Sequence, residues 1–343
     1  MILDLNYTPK ELVYTAALTE EEWLLYRRNG FGGSDIGAVY GCSPFQTAKE
    51  LYYEKKGMYK NTSKNWVAME VGHRLEDLVA EIFQRKTGYL LEKPDIMYQH
   101  PLFPFMLADI DRFYVTPEGN TGVLEIKTSH YFNKAKWEDN GIPYHYELQV
   151  RHYLAVTNLE EAYICCLFGN QEGDFIMRRI ERDLVKEEDL IFSEEYFWET
   201  FILGNQEPPY VENPDMVLKS MEKHITAKPE IEPYELEESD ETILCTILEL
   251  KKKKANLEKQ ARMLGAEIKA YSIPIIEKMG EKCYGEYHTD KGDFGIFYMP
   301  KESVCISAEA LERLKMEHRH IYDIYASKKV SRNFVIKELK KKR

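Results

Sequence analysis

No stretch of about 18 consecutive apolar residues occurs in the 343-residue chain, so no membrane-spanning helix is expected. The opening segment MILDLNYTPKEL has no basic flank followed by an apolar core, so no secretory signal is expected either. The six cysteines (Cys42, Cys165, Cys166, Cys245, Cys283 and Cys305) show no CxxC spacing. That disfavours a zinc or iron–sulfur site and fits reduced thiols in a cytoplasm, with the adjacent Cys165 and Cys166 filling core. His73, His130, His145 and His152 show neither HExxH nor paired spacing, so they read as surface or packing residues. No internal repeat is present. Net positive charge is missing as well. Forty-six basic and 58 acidic residues give −12, the wrong sign for a protein that coats nucleic acid.

That sum hides an asymmetry. Residues 251–343 hold 22 Lys and Arg against 13 Asp and Glu, or +9, which leaves 24 against 45, or −21, for residues 1–250. Hydrophobic residues at 44% and charged residues at 30% describe an ordinary globular chain, long enough for about two domains. The boundary falls where NQEPPYVENP (205–214) and KPEIEPYELEESDE (228–241) combine prolines with carboxylates, which reads as an exposed linker. The expected division is a domain over 1–210, a linker over 211–241 and a basic, mostly helical domain over 242–343.

Helical and strand patterns mix in the first domain. TEEEWLLYRR (19–28) reads as a helix capped by Thr19, and GGSDIGAVYG (32–41) as a turn and short helix capped by Ser34. WVAMEVGHRLEDLVAEIFQRKTG (66–88) has a helical apolar stripe and stops at Gly88. Segments 105–115, 122–129, 161–169 and 174–182 read as strands, with a helix over 144–157 between them. A mixed α/β sheet flanked by helices is the economical architecture. Beyond the linker, Leu250, Lys254, Leu257, Ala261, Leu264, Ile268, Tyr271 and Ile275 give a 4–3 repeat. A helix is expected over 242–279, kinked at Pro274 and ended by Gly280, as an arm of a helical hairpin or a coiled coil. GDFGIFYM and SVCIS (292–307) suggest a hairpin, followed by a helix over 308–322.

One constellation carries chemistry. In LEIK (124–127), strand alternation sends Glu125 and Lys127 to one face, while Leu124 and Ile126 turn into the core. Asp111 ends the apolar approach FMLADI, and Glu76 sits on the amphipathic helix. Three carboxylates meeting one lysine would suit a magnesium ion, with room for waters and a phosphate. Gln149 and Tyr153 share a helix face four residues apart. Gly32, Gly33 and Ser34 at a helix start offer backbone N–H groups and a hydroxyl to an anion.

These residues resemble the PD-(D/E)XK nuclease superfamily, more narrowly the YqaJ-like viral recombinase, or lambda-exonuclease-like, family. The resemblance rests on RRNGFGGSDIGAVYGCSPFQT (27–47), VGHRLEDLVAEIFQRKTG (71–88), MLADIDR (106–112), LEIKTS (124–129) and ELQVRHYLAVT (147–157). It covers residues 20–205 well and the remainder loosely. It implies a restriction-endonuclease-like fold with Asp111, Glu125, the Ile126 carbonyl and Glu76 holding two Mg²⁺ ions, or Mn²⁺ in their place. Lys127 would position or help deprotonate the attacking water. Gln149 and Tyr153 would line the site, and Arg27 with Ser34 would grip a 5′-phosphate. The family often reads P-D-G at its aspartate, where this chain has Asp109-Ile110-Asp111-Arg112. Asp109 therefore competes with Asp111, and Arg28 with Arg27.

The implied activity is a 5′-to-3′ exonuclease on linear double-stranded DNA, leaving 3′ single strands for phage-type recombination. Such an enzyme would act in the cytoplasm of a bacterial host or phage-infected cell. The resemblance further implies a single-strand annealing partner and a ring-like homo-oligomer, commonly a trimer. Two alternatives stand beside it. One is a structure-specific or restriction-like endonuclease. The other is a non-catalytic DNA-end or partner-binding module using KKKK (251–254), KKVSR (328–332) and KKKR (340–343).

Overall fold

The computed structural model describes residues 3–58, 66–225, 235–289, 292–303 and 305–326. KKVSR (328–332) and KKKR (340–343) therefore lie outside the described residues, as do Pro229 and Pro233 of the 228–241 segment. The chain divides into two units, Met1–Thr226 and Ala227–Arg343.

In the first unit the elements follow as β1 (Lys10–Tyr14), α1 (Glu20–Arg28), β2 (Phe31–Gly32), α2 (Ile36–Val39), α3 (Ala48–Lys55) and α4 (Trp66–Thr87). Then come β3 (Leu90–Glu92), β4 (Ile96–Gln99), β5 (Met106–Asp109), β6 (Arg112–Val115) and β7 (Thr121–Thr128). The unit finishes with α5 (Tyr144–Thr157), β8 (Glu161–Leu167), β9 (Phe175–Glu181), α6 (Leu184–Phe197) and α7 (Pro214–His224). Thr19 caps α1 through a capping box with Glu22. Gly88, at φ +75°, ends α4 as the sequence predicts.

Two sheets form where one was expected. β1, β4, β5 and β2 make a four-stranded sheet, and β3, β6, β7, β8 and β9 a five-stranded one. The split occurs inside 105–115, which reads as one strand by pattern but bends at Ile110–Asp111. Polar side chains pull the two halves apart. Asp109 accepts a bond from the Trp23 indole, whereas Asp111 accepts one from the Ile126 amide of β7.

β7 is central, antiparallel to β6 and parallel to β8. Leu124 and Ile126 pack with Val79, Ala80 and Phe83 of α4, while Val123 packs in the second cluster with Leu148 and Val150 of α5. Alternation along β7 therefore places Glu125 and Lys127 on the α5 face, and α4 covers the opposite one. Cys165 and Cys166 divide between the same two clusters, the core-filling role expected of them.

The segment expected as a linker is in part a helix. Pro214 occupies the first turn of α7, where its missing N–H costs nothing, and Asn213 caps that helix. α7 then ties to α3, with Ser220 Oγ 3.3 Å from Thr47 Oγ1 and Lys223 Nζ 2.7 Å from Glu50.

The second unit holds α8 (Glu241–Met279), β10 (Tyr284–Thr289), β11 (Gly292–Phe297), α9 (Ala308–Glu317) and α10 (Arg319–Tyr325). α8 contains Pro274 and ends at Gly280, whose φ is +59°. The hairpin differs from its expected register. β11 pairs with the preceding strand β10, and Ser303, Cys305, Ile306 and Ser307 lie in no strand. The helix expected over 308–322 breaks at His318, whose φ and ψ of −132° and 53° are not helical. The architecture is thus mixed α/β with helices against the sheets, followed by a long helix and a small hairpin.

Candidate active site

β7 and α5 supply the centre of the site. Lys127 Nζ lies 2.5 Å from Glu125 Oε1, as alternation on one strand requires. Gln149 Nε2 donates to that same oxygen at 2.7 Å and to the Tyr153 hydroxyl at 3.0 Å. Their four-residue spacing on α5 aims both side chains at the carboxylate. Tyr146, one turn earlier, places its ring 5.3 Å from Lys127 Nζ.

Asp111 enters from the bend between β5 and β6, its Oδ2 accepting from the Ile126 amide at 2.8 Å. Burial, and next the adjacent Glu125 carboxylate, push its pKa well above the ordinary aspartate value. Burial raises Glu125 too, against the lowering effect of Lys127. For Lys127 itself burial opposes the charge, but Glu125 and Asp111 outweigh it and hold the ammonium protonated above its usual value.

Glu76 reaches the region from the other face of β7. Its Oε1 lies 2.6 Å from Arg112 Nη1, and Arg112 also holds Asp77 at 2.5 Å. The structure thus brings Asp111, Glu125, Lys127, Gln149 and Tyr153 together, while Glu76 stands beside them in an ion pair. Among the described residues, no group of three or more His, Cys, Asp and Glu side chains is arranged to hold an ion. The donor chemistry nevertheless suits a divalent cation. Buried Glu125 and half-buried Asp111 share one ammonium, and among the described residues no donor reaches the buried Glu125 Oε2. Asp109 belongs elsewhere, held by Trp23 at 2.8 Å, so it does not replace Asp111 beside Glu125.

Arg27 rather than Arg28 turns inward. It is 8% exposed, and its Nη2 lies 3.2 Å from Ser34 Oγ and 2.9 Å from Asp35 Oδ2. Lys55 Nζ approaches the same Asp35 oxygen at 2.7 Å, and Gly32 N donates to it at 3.0 Å. Burial works against the Asp35 carboxylate, yet Arg27 and Lys55 prevail and hold it ionised below its usual range. The glycines serve close approach. A Cβ on Gly32 would sit 1.1 Å from Arg27 Nη1, and one on Gly33 2.6 Å from the Tyr153 ring. Ser34 is not a helix cap, because a 3₁₀ turn over Gly33–Asp35 starts at Gly32 and only the four-residue α2 follows. The expected helix-dipole cradle is therefore replaced by the Arg27 and Lys55 cations.

Asp35, Lys55, Arg112 and Tyr146 were not singled out by spacing. Asp35 and Arg112 fall inside the motif blocks, next to residues that were. Lys55 lies 20 positions from Asp35 and carries no local signal.

Residues 22–160 match the YqaJ-like viral recombinase domain, which bears out the family resemblance read from the five blocks. The chain is 29% identical over 333 residues to the uncharacterized protein YqaJ of Bacillus subtilis (strain 168), covering 96% of this chain and 97% of that one. Among solved structures it is similar to the alkaline exonuclease LHK-Exo from Laribacter hongkongensis. That match has a TM-score of 0.46 and 19% identity over 54% of this chain and 93% of the other. A phage related exonuclease from Haemophilus somnus 129PT aligns with a TM-score of 0.38 and 13% identity, over 52% and 96% of the two chains. No described helix is long and apolar enough to cross a membrane.

Proposed function

We propose, taking the YqaJ-like viral recombinase domain of residues 22–160 as premise, that this protein is a metal-dependent DNA nuclease. The favoured activity is a 5′-to-3′ exonuclease on linear double-stranded DNA. One observation carries the reading: among the described residues no donor reaches the buried Glu125 Oε2, which stands beside half-buried Asp111 with Lys127 as the compensating ammonium. Glu194 Oε2 is likewise unpartnered beside His152, but only at Glu125 do a second carboxylate and an ammonium stand against the open oxygen, the donor set a cation would complete.

Asp111, Glu125 and the Ile126 carbonyl would hold Mg²⁺ or Mn²⁺, two ions per site, with Glu76 supporting directly or through water. When bound, such ions supply Lewis-acid activation of water and neutralise charge on the phosphate. The protein side of the mechanism follows from its own groups. Lys127, held protonated, places positive charge where the pentavalent phosphate becomes more negative. Gln149 fixes the orientation of Glu125 and keeps the Tyr153 hydroxyl at the site wall. Arg27 and Ser34 would receive a terminal 5′-phosphate. The buried guanidinium beside Ser34 supports that role, with Asp35 holding it in place until the anion arrives.

The same reading extends to a single-strand annealing protein that takes up the 3′ strand, and to a ring-like or trimeric assembly around the duplex. Light scattering on the purified protein tests the assembly. The activity is tested with Mg²⁺ and linear duplex carrying or lacking 5′-phosphate, beside nicked and closed circles, with EDTA controls. Digestion of linear DNA alone, faster with 5′-phosphate, is the expected result. Cutting of closed circles would replace this reading by an endonuclease, and binding without hydrolysis by a non-catalytic end-binding module.

A further inference from the structure

We propose that Phe45 is the stacking platform for an unpaired nucleobase of the DNA strand bound at Lys127, a role that rests on the nuclease reading above. An unbroken ladder of rings leads from the ammonium to solvent. Lys127 Nζ lies 5.3 Å from the Tyr146 centroid, and the Tyr146 and His145 centroids are 4.1 Å apart. Phe45 then meets His145 edge-on, at 5.8 Å and 81°. The last ring of the series is open, since Phe45 is 69% exposed.

The turn that carries Phe45 is braced rather than loose. Buried Ser43 accepts from the amides of Phe45 at 3.2 Å and Gln46 at 3.3 Å. Gln46 Nε2 donates to Glu54 Oε2 at 2.7 Å, and Thr47 caps α3. A large apolar ring held rigidly in water contributes little to folding, and it is preorganised for an apolar face brought from outside.

The surroundings favour a nucleotide over a greasy ligand. The His145 ring that Phe45 meets carries a nitrogen, Nε2, with no hydrogen-bond partner among the described residues, which sets a polar edge beside the apolar ring. Burial, with Lys127 and Lys136 nearby, pushes the His145 imidazole down to about 4, so the ring is neutral at physiological pH. The same two lysines bring positive charge to the path of the phosphates. Stacking on an aromatic face accepts every base, which suits an enzyme that must digest any sequence.

The test uses the full-length protein in EDTA, so that binding is read without hydrolysis. Single-stranded-ended duplexes carry 2-aminopurine at successive positions from the 5′ end. Fluorescence quenching is expected at one position. Phe45→Ala should abolish that quenching and weaken binding about tenfold or more, and Phe45→Trp should restore both. An abasic residue at that position should erase the difference between the parent protein and Phe45→Ala. Equal binding and quenching by Phe45→Ala, or an undiminished loss on the abasic strand, would overturn the proposal. Cleavage of linear duplex by the parent protein in Mg²⁺ is scored separately. Its absence sinks the nuclease reading, whereas cleavage with unchanged Phe45→Ala binding sinks the stacking role alone.

Discussion

Lys127 Nζ stands 2.5 Å from Glu125 Oε1, and its charge also reaches Asp111. One ammonium therefore compensates the buried Glu125 and the half-buried Asp111. On the proposed function the same ammonium would also serve the chemistry, so every change at Lys127 would act on both.

Lys127→Ala should reduce hydrolysis of linear duplex by about 10²–10³-fold, the loss typical of one preorganised donor. It should also cost roughly 2–4 kcal/mol of stability, because Glu125 is left buried and unpaired. Adding Glu125→Gln should recover most of that stability and none of the activity. Urea unfolding and single-turnover cleavage of the three variants check both parts. A fully stable, fully active Lys127→Ala protein would refute the assigned role.

The carboxylate pair makes divalent ions stabilising in their own right. Mg²⁺ or Mn²⁺ at about 100 times Kd should add about 2.7 kcal/mol, seen as a Tm rise of roughly 5–10 °C in this size range. EDTA should reverse it. Asp111→Asn should abolish the rise, yet melt higher than the parent protein without metal, since it removes a charge from a crowded site. Differential scanning fluorimetry decides between these outcomes without any nuclease assay.

Arg27→Ala should lower the preference for 5′-phosphorylated over 5′-hydroxyl ends by about tenfold or more, the worth of a charge-assisted bond. Hydrolysis itself should persist, because Arg27 does not contact Glu125, Asp111 or Lys127. Comparing kcat/KM on the two duplexes isolates the effect. Arg28→Ala should leave the ratio unchanged.

Much of this site was legible because its signals are local. Alternation in Leu124–Lys127 put Glu125 and Lys127 together, and the 149/153 spacing put Gln149 and Tyr153 on one helix face. Thr19, Gly88 and Gly280 marked helix ends by chemistry that needs no tertiary context. The local pattern does not show how Asp111 reaches Glu125. The strand expected over 105–115 is broken at Ile110–Asp111, and a bond from the Ile126 amide brings Asp111 to Glu125. Lys55 and the Arg112–Glu76 pair were illegible because they join segments distant in the chain. The α7 helix was hidden by Pro214, which opens a helix as readily as it breaks one.

A last prediction concerns acid stability. His100 Nδ1 accepts from the amides of Leu102 and Phe103, both at 3.1 Å, which requires that nitrogen to be unprotonated. Burial first, then the neighbouring His152 and Arg182, push the imidazole down to about 4. Unfolded histidine titrates near 6.5, so between about pH 6.5 and 4 the unfolded chain binds a proton that the folded protein refuses. Stability from this residue is complete above that window and falls as pH drops through it, by about 2–3 kcal/mol at pH 4.5. His145 acts with the same sign, so part of the slope survives any change at His100. His100→Asn keeps an acceptor near the Nδ1 position and removes the titration. Urea unfolding from pH 7.5 to 4.5 should therefore show a shallower acid loss in His100→Asn than in the parent protein. Identical slopes would show that the two amides do not depend on a neutral His100.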